Sequence, residues 1–400
     1  MGARVTAVIP DSPAAAAGLK VGDVVSVFGS HKIENSAGLV ARVRAASVED
    51  PIVVEVLRDK HPLTLSVQLI RAPKENDPAV ETIYSSIDVD GSLRRTLVTV
   101  PKSVYGKLPG MLLIGGIGCY TVDNPNDPHD AYRFLAHDLA RAGIVVMRVE
   151  KSGIGDSQGG PCFDTDFVHE SHSYQVALDV LVADPHVDPS RVFLFGHSIG
   201  VLIAPRLALK KPTAGIIAAD GVGVNWFEYE LANLRRQSEL DGDTPTQTDA
   251  LMSSKELCMH RLLMDHQPES EIEKTNPECK QRNAYPVAAP YMQQVAALNI
   301  ADPWTKVKAP VLAIYGTADF ITAESDHRRI AAIVNAQHPG SAQVRLIEGM
   351  DHHLEQMGTP QLAYDARVKH HKGGPYAEEL SGALSAWICS RAQCTSQAAR

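Results

Sequence analysis

A serine between two glycines, Gly196-His197-Ser198-Ile199-Gly200, follows the apolar run Phe193-Leu194-Phe195 and leads into a helical pattern. Five residues alone would also fit an ordinary turn with a capping serine. The strand–turn–helix setting favours a nucleophile, because a side chain held above a sheet on a sharp turn needs small neighbours. A serine hydroxyl reacts only when a base removes its proton and a third group orients that base. The chain order serine, acid, histidine fits this setting. Asp319 lies just past the apolar run Val311-Leu312-Ala313-Ile314-Tyr315 and is the candidate acid. Glu324 and Asp326, further on, read as charges favoured at a helix N-terminus. The candidate base is His352 rather than His353, because His352 closes the turn Gly349-Met350-Asp351-His352. A metal on His352, His353 and Glu355, with His370-His371, is the rival reading. Adjacent histidines point apart on regular backbone and no H-E-x-x-H occurs, so no metal is expected.

Attack on a carbonyl also needs donors for the oxyanion that forms. The N–H of Ile199, at the helix start, is one candidate. The second should follow the first parallel strand, where the chain reads Ile114-Gly115-Gly116-Ile117-Gly118-Cys119. Glycines let main-chain N–H groups approach a substrate closely, and Ile117 N–H is the candidate. Neither this run nor Ser152-Gly153-Ile154-Gly155-Asp156 is a dinucleotide fingerprint or a phosphate loop with its lysine, so no cofactor is expected.

Alternating strands and helices must position these groups. Strands are expected at 83–89 and 93–100 as a hairpin around Asp90-Gly91. Further strands follow at 111–114, 144–149, 192–195, 215–219, 311–315 and 344–347. Helices fall at 131–142, 168–182, 199–209, 323–334 and 377–388. Most of these strands are continuous apolar runs, as expected when helices cover both faces of a sheet. The order implies an α/β fold with a doubly wound, mainly parallel sheet. Between residues 224 and 307 the strand pattern stops. That stretch reads as a helical cap carrying Trp226, Tyr229, Tyr285, Tyr291 and Met292. The core is then 81–223 and 308–400.

Residues 1–72 differ. They form a small β-rich unit, with strands expected at 4–9, 24–27, 52–57 and 63–70 and short helices at 14–19 and 39–45. A polar, proline-bearing linker is expected at 73–80. The string from Asp11 to Val25, with Ser12-Pro13-Ala14-Ala15 and Gly18-Leu19-Lys20-Val21-Gly22-Asp23, resembles the core of a bacterial PDZ domain. In that type the first strand and carboxylate-binding loop precede the strand that opens this chain, and here they read as missing. Peptide capture by strand addition needs that edge. A docking or structural role is therefore expected instead.

From about residue 80 to 395 the chain resembles an α/β-hydrolase of the esterase and peptidase superfamily, of the bacterial kind with an N-terminal PDZ-like unit. The resemblance rests on Leu139-Ala140-Arg141-Ala142-Gly143, on the run from Arg148 to Ser157, and on the turns at 196–200, 316–319 and 349–352. It implies a serine nucleophile, an acyl-enzyme and no cofactor. It also implies that Cys119 and Cys162 approach each other, as a disulfide that would support export or as two buried thiols. Carboxylic ester hydrolysis is the leading reaction. A peptidase of the prolyl-oligopeptidase kind comes next, then an acyltransferase or thioesterase. For a peptidase, Glu228 and Glu230 would be the amine ligands, against a plainer reading as solvated helix charges. A scaffold that only keeps the fold is the non-enzymatic alternative.

The whole chain bounds the partners. It has 400 residues, 38 Lys and Arg against 47 Asp and Glu, and a net charge of −9, so it has no general attraction to nucleic acid. No apolar run is long enough to span a bilayer. The expected substrate is a small ester or a short peptide. Six cysteines, an even count, are compatible with three disulfides and favour a periplasmic or secreted protein over a cytoplasmic one, with no leader pattern at the start of this chain.

Overall fold

The computed structural model describes residues 2–71, 73–103, 106–125, 127, 129–392 and 394. The chain divides into two compact units, one ending at Lys74 and the other beginning at Glu75.

The first unit holds β1 (Ala3–Arg4), α1 (Pro13–Ala16), β2 (Val24–Phe28), β3 (His31–Lys32), α2 (Ser36–Ala45), β4 (Ile52–Arg58) and β5 (His61–Val67). Its strands run antiparallel in the order β1-β2-β4-β5, with β3 on β2. Seven side chains form its buried core: Ala3, Val25, Phe28, Ile33, Val54, Val56 and Val67. Asp23 is buried and accepts from the Arg58 guanidinium at 2.8 Å. The strand expected at 4–9 is a correction: pairing stops at Arg4. Val5 still exchanges bonds with Gly22 and Asp23, but no partner strand extends beyond it, and Pro10 has no N–H to donate.

The second unit is built on one sheet. Its elements begin with β6 (Val80–Val89), β7 (Ser92–Pro101), β8 (Leu108–Ile114), α3 (Ala131–Arg141), β9 (Val145–Val149), α4 (Phe167–Ala183), β10 (Val187–His197), α5 (Gly200–Lys210) and β11 (Gly215–Ala219). Six α-helices follow, with a π-helical turn at His260–Met264: α6 (Trp226–Asp241), α7 (Pro245–Met259), α8 (Glu269–Thr275), α9 (Cys279–Arg282), α10 (Ala289–Ala296) and α11 (Ala301–Lys306). The chain returns to the sheet with β12 (Val311–Gly316), α12 (Glu324–Gln337), β13 (Ala342–Ile347), α13 (Pro360–Tyr364) and α14 (Glu378–Ala392). The strand order is β13-β12-β11-β10-β8-β9-β7-β6. It is parallel from β13 to β9, and the β6–β7 hairpin joins antiparallel at one edge. This is the mainly parallel, helix-covered sheet expected for an α/β fold.

Alternate residues of the central strands face opposite ways. Leu112, Ile114 and Leu194 join α4, α5, α12 and the inserted helices in one core. Met111, Leu113, Phe193 and Phe195 join α3 and α14 in the other.

The linker expected at 73–80 needs a second correction. The Glu75 side chain is fully buried and takes two bonds of 2.7 Å from the buried Arg148 guanidinium and one of 3.0 Å from His137. Part of the stretch read as a polar linker is thus an internal ion pair of the second unit. Among the described residues no helix is long and apolar enough to cross a membrane.

Candidate active site

Strand β10 ends at His197, and Ser198 turns into α5 with φ +55°. A non-glycine residue seldom adopts this conformation, and it is held here by close packing. A Cβ on Gly200 would lie 2.3 Å from the Ile114 carbonyl oxygen, and one on Gly196 would lie 2.5 Å from the Gly200 oxygen. Larger residues at either position would force the turn apart. Ser198 N–H donates to the Ala219 oxygen at 3.0 Å, which fixes the turn against the neighbouring strand.

Asp319 and His352, on the loops after β12 and β13, meet at Ser198. His352 Nε2 is 3.0 Å from Ser198 Oγ, and His352 Nδ1 is 2.9 Å from Asp319 Oδ2. Asp319 is 2% exposed and also accepts from Ile321 N–H at 2.6 Å and from Thr322 N–H and hydroxyl. Burial alone would raise its pKa. The His352 imidazole and the Thr322 donors outweigh burial and hold the carboxyl well below the ordinary range. An ionised Asp319 can only accept, so Nδ1 of His352 carries the hydrogen and Nε2 is left to accept from the serine. His353 takes no such place: its ring stands edge-on to His352 with centroids 6.0 Å apart. Among the described residues, no group of three or more His, Cys, Asp or Glu is placed to hold a metal ion.

The loop after β8 packs directly on the serine. A Cβ on Gly116 would lie 3.3 Å from Ser198 Cβ. Its main chain is pinned on all sides. Gly115 N–H donates to Tyr174 Oη at 3.3 Å, and Gly116 N–H donates to Tyr132 Oη at 3.3 Å. The Gly116 oxygen accepts from Tyr120 Oη at 3.1 Å and from Lys151 Nζ at 2.6 Å. Among the described residues, neither Ile117 N–H nor Ile199 N–H finds an acceptor, and both residues line the pocket above Ser198. Unused amides beside a reactive hydroxyl are what an oxyanion site requires.

A second line of bonds ties this loop to His352. Tyr132 Oη donates to His197 Nδ1 at 2.6 Å, and His197 Nε2 donates to the His352 carbonyl at 2.8 Å. Burial, then the neighbouring His352, pulls the His197 imidazole down to about 3, so it is neutral and can both accept and donate.

The pocket encloses about 570 Å³. Ile117, Ile199, Val222, Trp226, Tyr229 and Ile321 supply its apolar lining and pack with the core on one sheet face. Asn124, Asp127, His129, Asp130, His353 and Glu355 supply polar lining from the loops that precede α3 and follow β13. Of the residues expected on the cap, Trp226 and Tyr229 line the pocket, whereas Tyr291 and Met292 are buried in the core. Glu228 pairs with Asn225, and Glu230 lies 2.8 Å from Lys255, so neither lines the pocket.

Sequence reasoning left Tyr132, Lys151 and Tyr174 without roles. They act on main-chain atoms of a distant loop, and no local spacing announces such a contact. Lys151 did stand in the run from Arg148 to Ser157, and that run was its only signal.

Cysteines pair as Cys119–Cys162, Cys258–Cys279 and Cys389–Cys394. The first pair ties the loop that bears Ile117 to the short turn at Cys162–Asp164.

Residues 126–356 match the family described as serine aminopeptidase, S33, and residues 1–69 match the PDZ domain family. Esterase EstD of Thermotoga maritima is 27% identical over 121 residues, covering 30% of this chain and 28% of that protein. A probable periplasmic serine endoprotease, DegP-like, of Marinomonas is 39% identical over 79 residues, 20% of this chain and 16% of that protein. Thiohydrolase apmlB of Arthrinium phaeospermum is 25% identical over 138 residues, 32% and 45%. The chain thus spans less than half the length of each of these relatives. Among solved structures, Est1E from Butyrivibrio proteoclasticus overlaps 77% of this chain and 98% of its own, with TM-score 0.47 and 14% identity.

Proposed function

The chain belongs to the serine aminopeptidase, S33, family of α/β hydrolases and carries an N-terminal PDZ domain, and from that premise we propose that it is a serine esterase. The observation that carries this reading is the hydrogen-bonded line from Ser198 through His352 to Asp319 beneath an apolar-walled pocket.

Ser198 Oγ attacks the acyl carbon as its proton passes to His352 Nε2. Asp319 keeps the imidazole in register and stabilises the cation that forms. The carbonyl oxygen becomes an oxyanion held by Ile117 N–H and Ile199 N–H. Collapse breaks the bond to the alcohol oxygen, which takes the proton from His352 and leaves. Water then attacks the acyl-enzyme, giving its proton to His352, and the acid departs as Ser198 regains its own. Every step uses the chain's own groups.

Esters are preferred over peptides because the wall formed by Val222, Trp226, Tyr229 and Ile321 suits an apolar acyl group. The two glutamates considered as amine ligands are engaged elsewhere. A volume of about 570 Å³ suits short and medium acyl chains. Three disulfides suit an oxidising compartment. The PDZ domain suits protein docking.

The test is turnover of p-nitrophenyl esters of increasing chain length, with alanine and proline p-nitroanilides alongside. A fluorophosphonate probe is applied to wild type and Ser198→Ala. Labelling and ester turnover that vanish together in the variant support the reading. Turnover of the anilides alone would replace it with a peptidase. A wild type that shows neither labelling nor turnover would leave a scaffold.

A further inference from the structure

One cation sits behind the site without touching it. Lys151 follows β9, is 7% exposed, and places Nζ 2.6 Å from the Gly116 oxygen. Burying an ammonium is costly unless it is paired and hydrogen-bonded. Here Glu170 Oε1, from α4, lies 3.2 Å away and the face of Tyr120 lies 5.1 Å from Nζ. The Gly116 carbonyl and the Ile117 N–H are the two ends of one planar peptide group. Whatever fixes the oxygen therefore fixes the direction of the N–H. A positive charge at the oxygen also draws electron density away from the nitrogen and makes the N–H a stronger donor.

We propose that Lys151 is a positioning residue for the oxyanion site: its ammonium orients and polarises the Gly116–Ile117 peptide so that Ile117 N–H meets the negative charge that develops on the substrate. The proposal rests on the reading of Ser198 as the nucleophile. Holding the loop in place does not require a charge. Tyr120 Oη already donates to the same oxygen at 3.1 Å, and Tyr174 and Tyr132 accept from the two preceding amides, Gly115 N–H and Gly116 N–H. A further neutral donor would complete that task without the cost of burying an ion pair. The charge is useful where charge forms.

The experiment compares wild type, Lys151→Met/Glu170→Gln and Tyr120→Phe. The double variant removes both charges, so neither is left buried alone. For each, kcat and KM are measured on p-nitrophenyl butyrate. Affinity is measured for a trifluoromethyl ketone, which adds to a serine as a hemiketal anion. In the double variant kcat should fall about 10- to 100-fold while KM stays within about twofold, and ketone affinity should fall in step with kcat. Tyr120→Phe should lose only about threefold.

A folded double variant that keeps kcat and ketone affinity within about threefold overturns the proposal. So does a Tyr120→Phe loss that equals that of the double variant. If the double variant does not fold, Lys151→Gln is read in its place against the same thresholds. Probe labelling separates the two levels. A wild type that is not labelled at Ser198 removes the nucleophile and this proposal together. Labelling with insensitive Lys151 variants removes this proposal alone.

Discussion

The ring of His197 donates to the main-chain oxygen of His352 at 2.8 Å, so the residue just before the proposed nucleophile holds the loop that carries the proposed base. Ser198 and His352 therefore do not drift apart independently. The same ring accepts from Tyr132, which in turn accepts from Gly116, so the three loops around the site share one rigid connection.

Tyr132→Phe breaks that connection in the middle. It strands Gly116 N–H and His197 Nδ1, both shielded from water, without opening a cavity. Leaving buried groups unpaired costs about 1–3 kcal/mol. Urea unfolding should report that loss. Ester kinetics should show kcat reduced by about tenfold with KM little changed, since the defect is felt as charge develops. A variant with wild-type kcat would mean that the three loops hold themselves in place.

Two buried imidazoles set an acid limit on stability. His197 is held down to about 3 and His327 to about 4, in both cases chiefly by burial. His327 Nε2 accepts from Gly221 N–H at 3.0 Å and its Nδ1 donates to the Ala323 oxygen at 2.8 Å. A pKa depressed on folding gives stability that is whole above the unfolded value near 6.5 and is lost as pH falls towards the folded one. At pH 5 each ring has forfeited about 2 kcal/mol. His327→Gln removes one of these terms. The stability difference between wild type and this variant should narrow by about 2 kcal/mol between pH 7 and pH 5. An unchanged difference would show that the ring is not buried as a neutral group.

Glu75 gives a second pH signature in a different window. Burial would raise its carboxyl, but His137 and Arg148 outweigh burial and bring it down to about 2. Its contribution is therefore complete above about pH 4.5 and lost as pH falls through about 2. Glu75→Gln leaves the fully buried Arg148 guanidinium without a counter-charge. It should destabilise the second unit by about 3–5 kcal/mol at pH 7, read from the urea midpoint. The penalty should shrink as the pH is lowered below 4. A penalty under about 1 kcal/mol would place the pair in water instead.

The three disulfides should rank by the chain they close. Sequence separations are 43 for Cys119–Cys162, 21 for Cys258–Cys279 and 5 for Cys389–Cys394. Loop-closure entropy gives about 4, 3 and 2 kcal/mol in that order. Paired serine replacements, measured by urea unfolding, should follow this ranking. Removing the first pair should also lower kcat, because Cys119 lies two residues from Ile117 on the same loop. Mass spectrometry of protein made in an oxidising compartment should find no free thiol.

How far the sequence announced this arrangement varies with the range of each interaction. The α/β sheet was legible because its strands are short apolar runs separated by helical periods, and each run carries its own signal. Ser198, Asp319 and His352 could be named because each sits in a turn with its own small residues, and the fold then brings them within 3.0 Å and 2.9 Å. Tyr132 and Lys151 had no such turn. Their partners are the main-chain atoms of Gly116 and, for Tyr132, the His197 ring, all outside their own turns, so nothing local set them apart. Glu75 was read as linker because a polar window usually faces water, and its partner Arg148 lies 73 residues away. At 5–9 the alternation was present, but a strand also needs a neighbour to pair with, and that is a property of the assembled sheet.

The pocket straddles the end of the sheet, with its apolar wall packed into the core on one face. Part of its polar wall comes from the loop that leads into α3, whose buried side packs into the core on the other face. Trp226 and Tyr229 belong to α6, in the stretch inserted between β11 and β12, whereas Ser198, Asp319 and His352 sit on loops of the sheet itself. Under the proposed function, choice of substrate and power to cleave are in that sense partly separable in the gene. Under the same reading, an exchanged α6 segment retunes what is accepted and leaves untouched the loops that bear Ser198, Asp319 and His352, so new substrate ranges are reachable by recombination of one cassette.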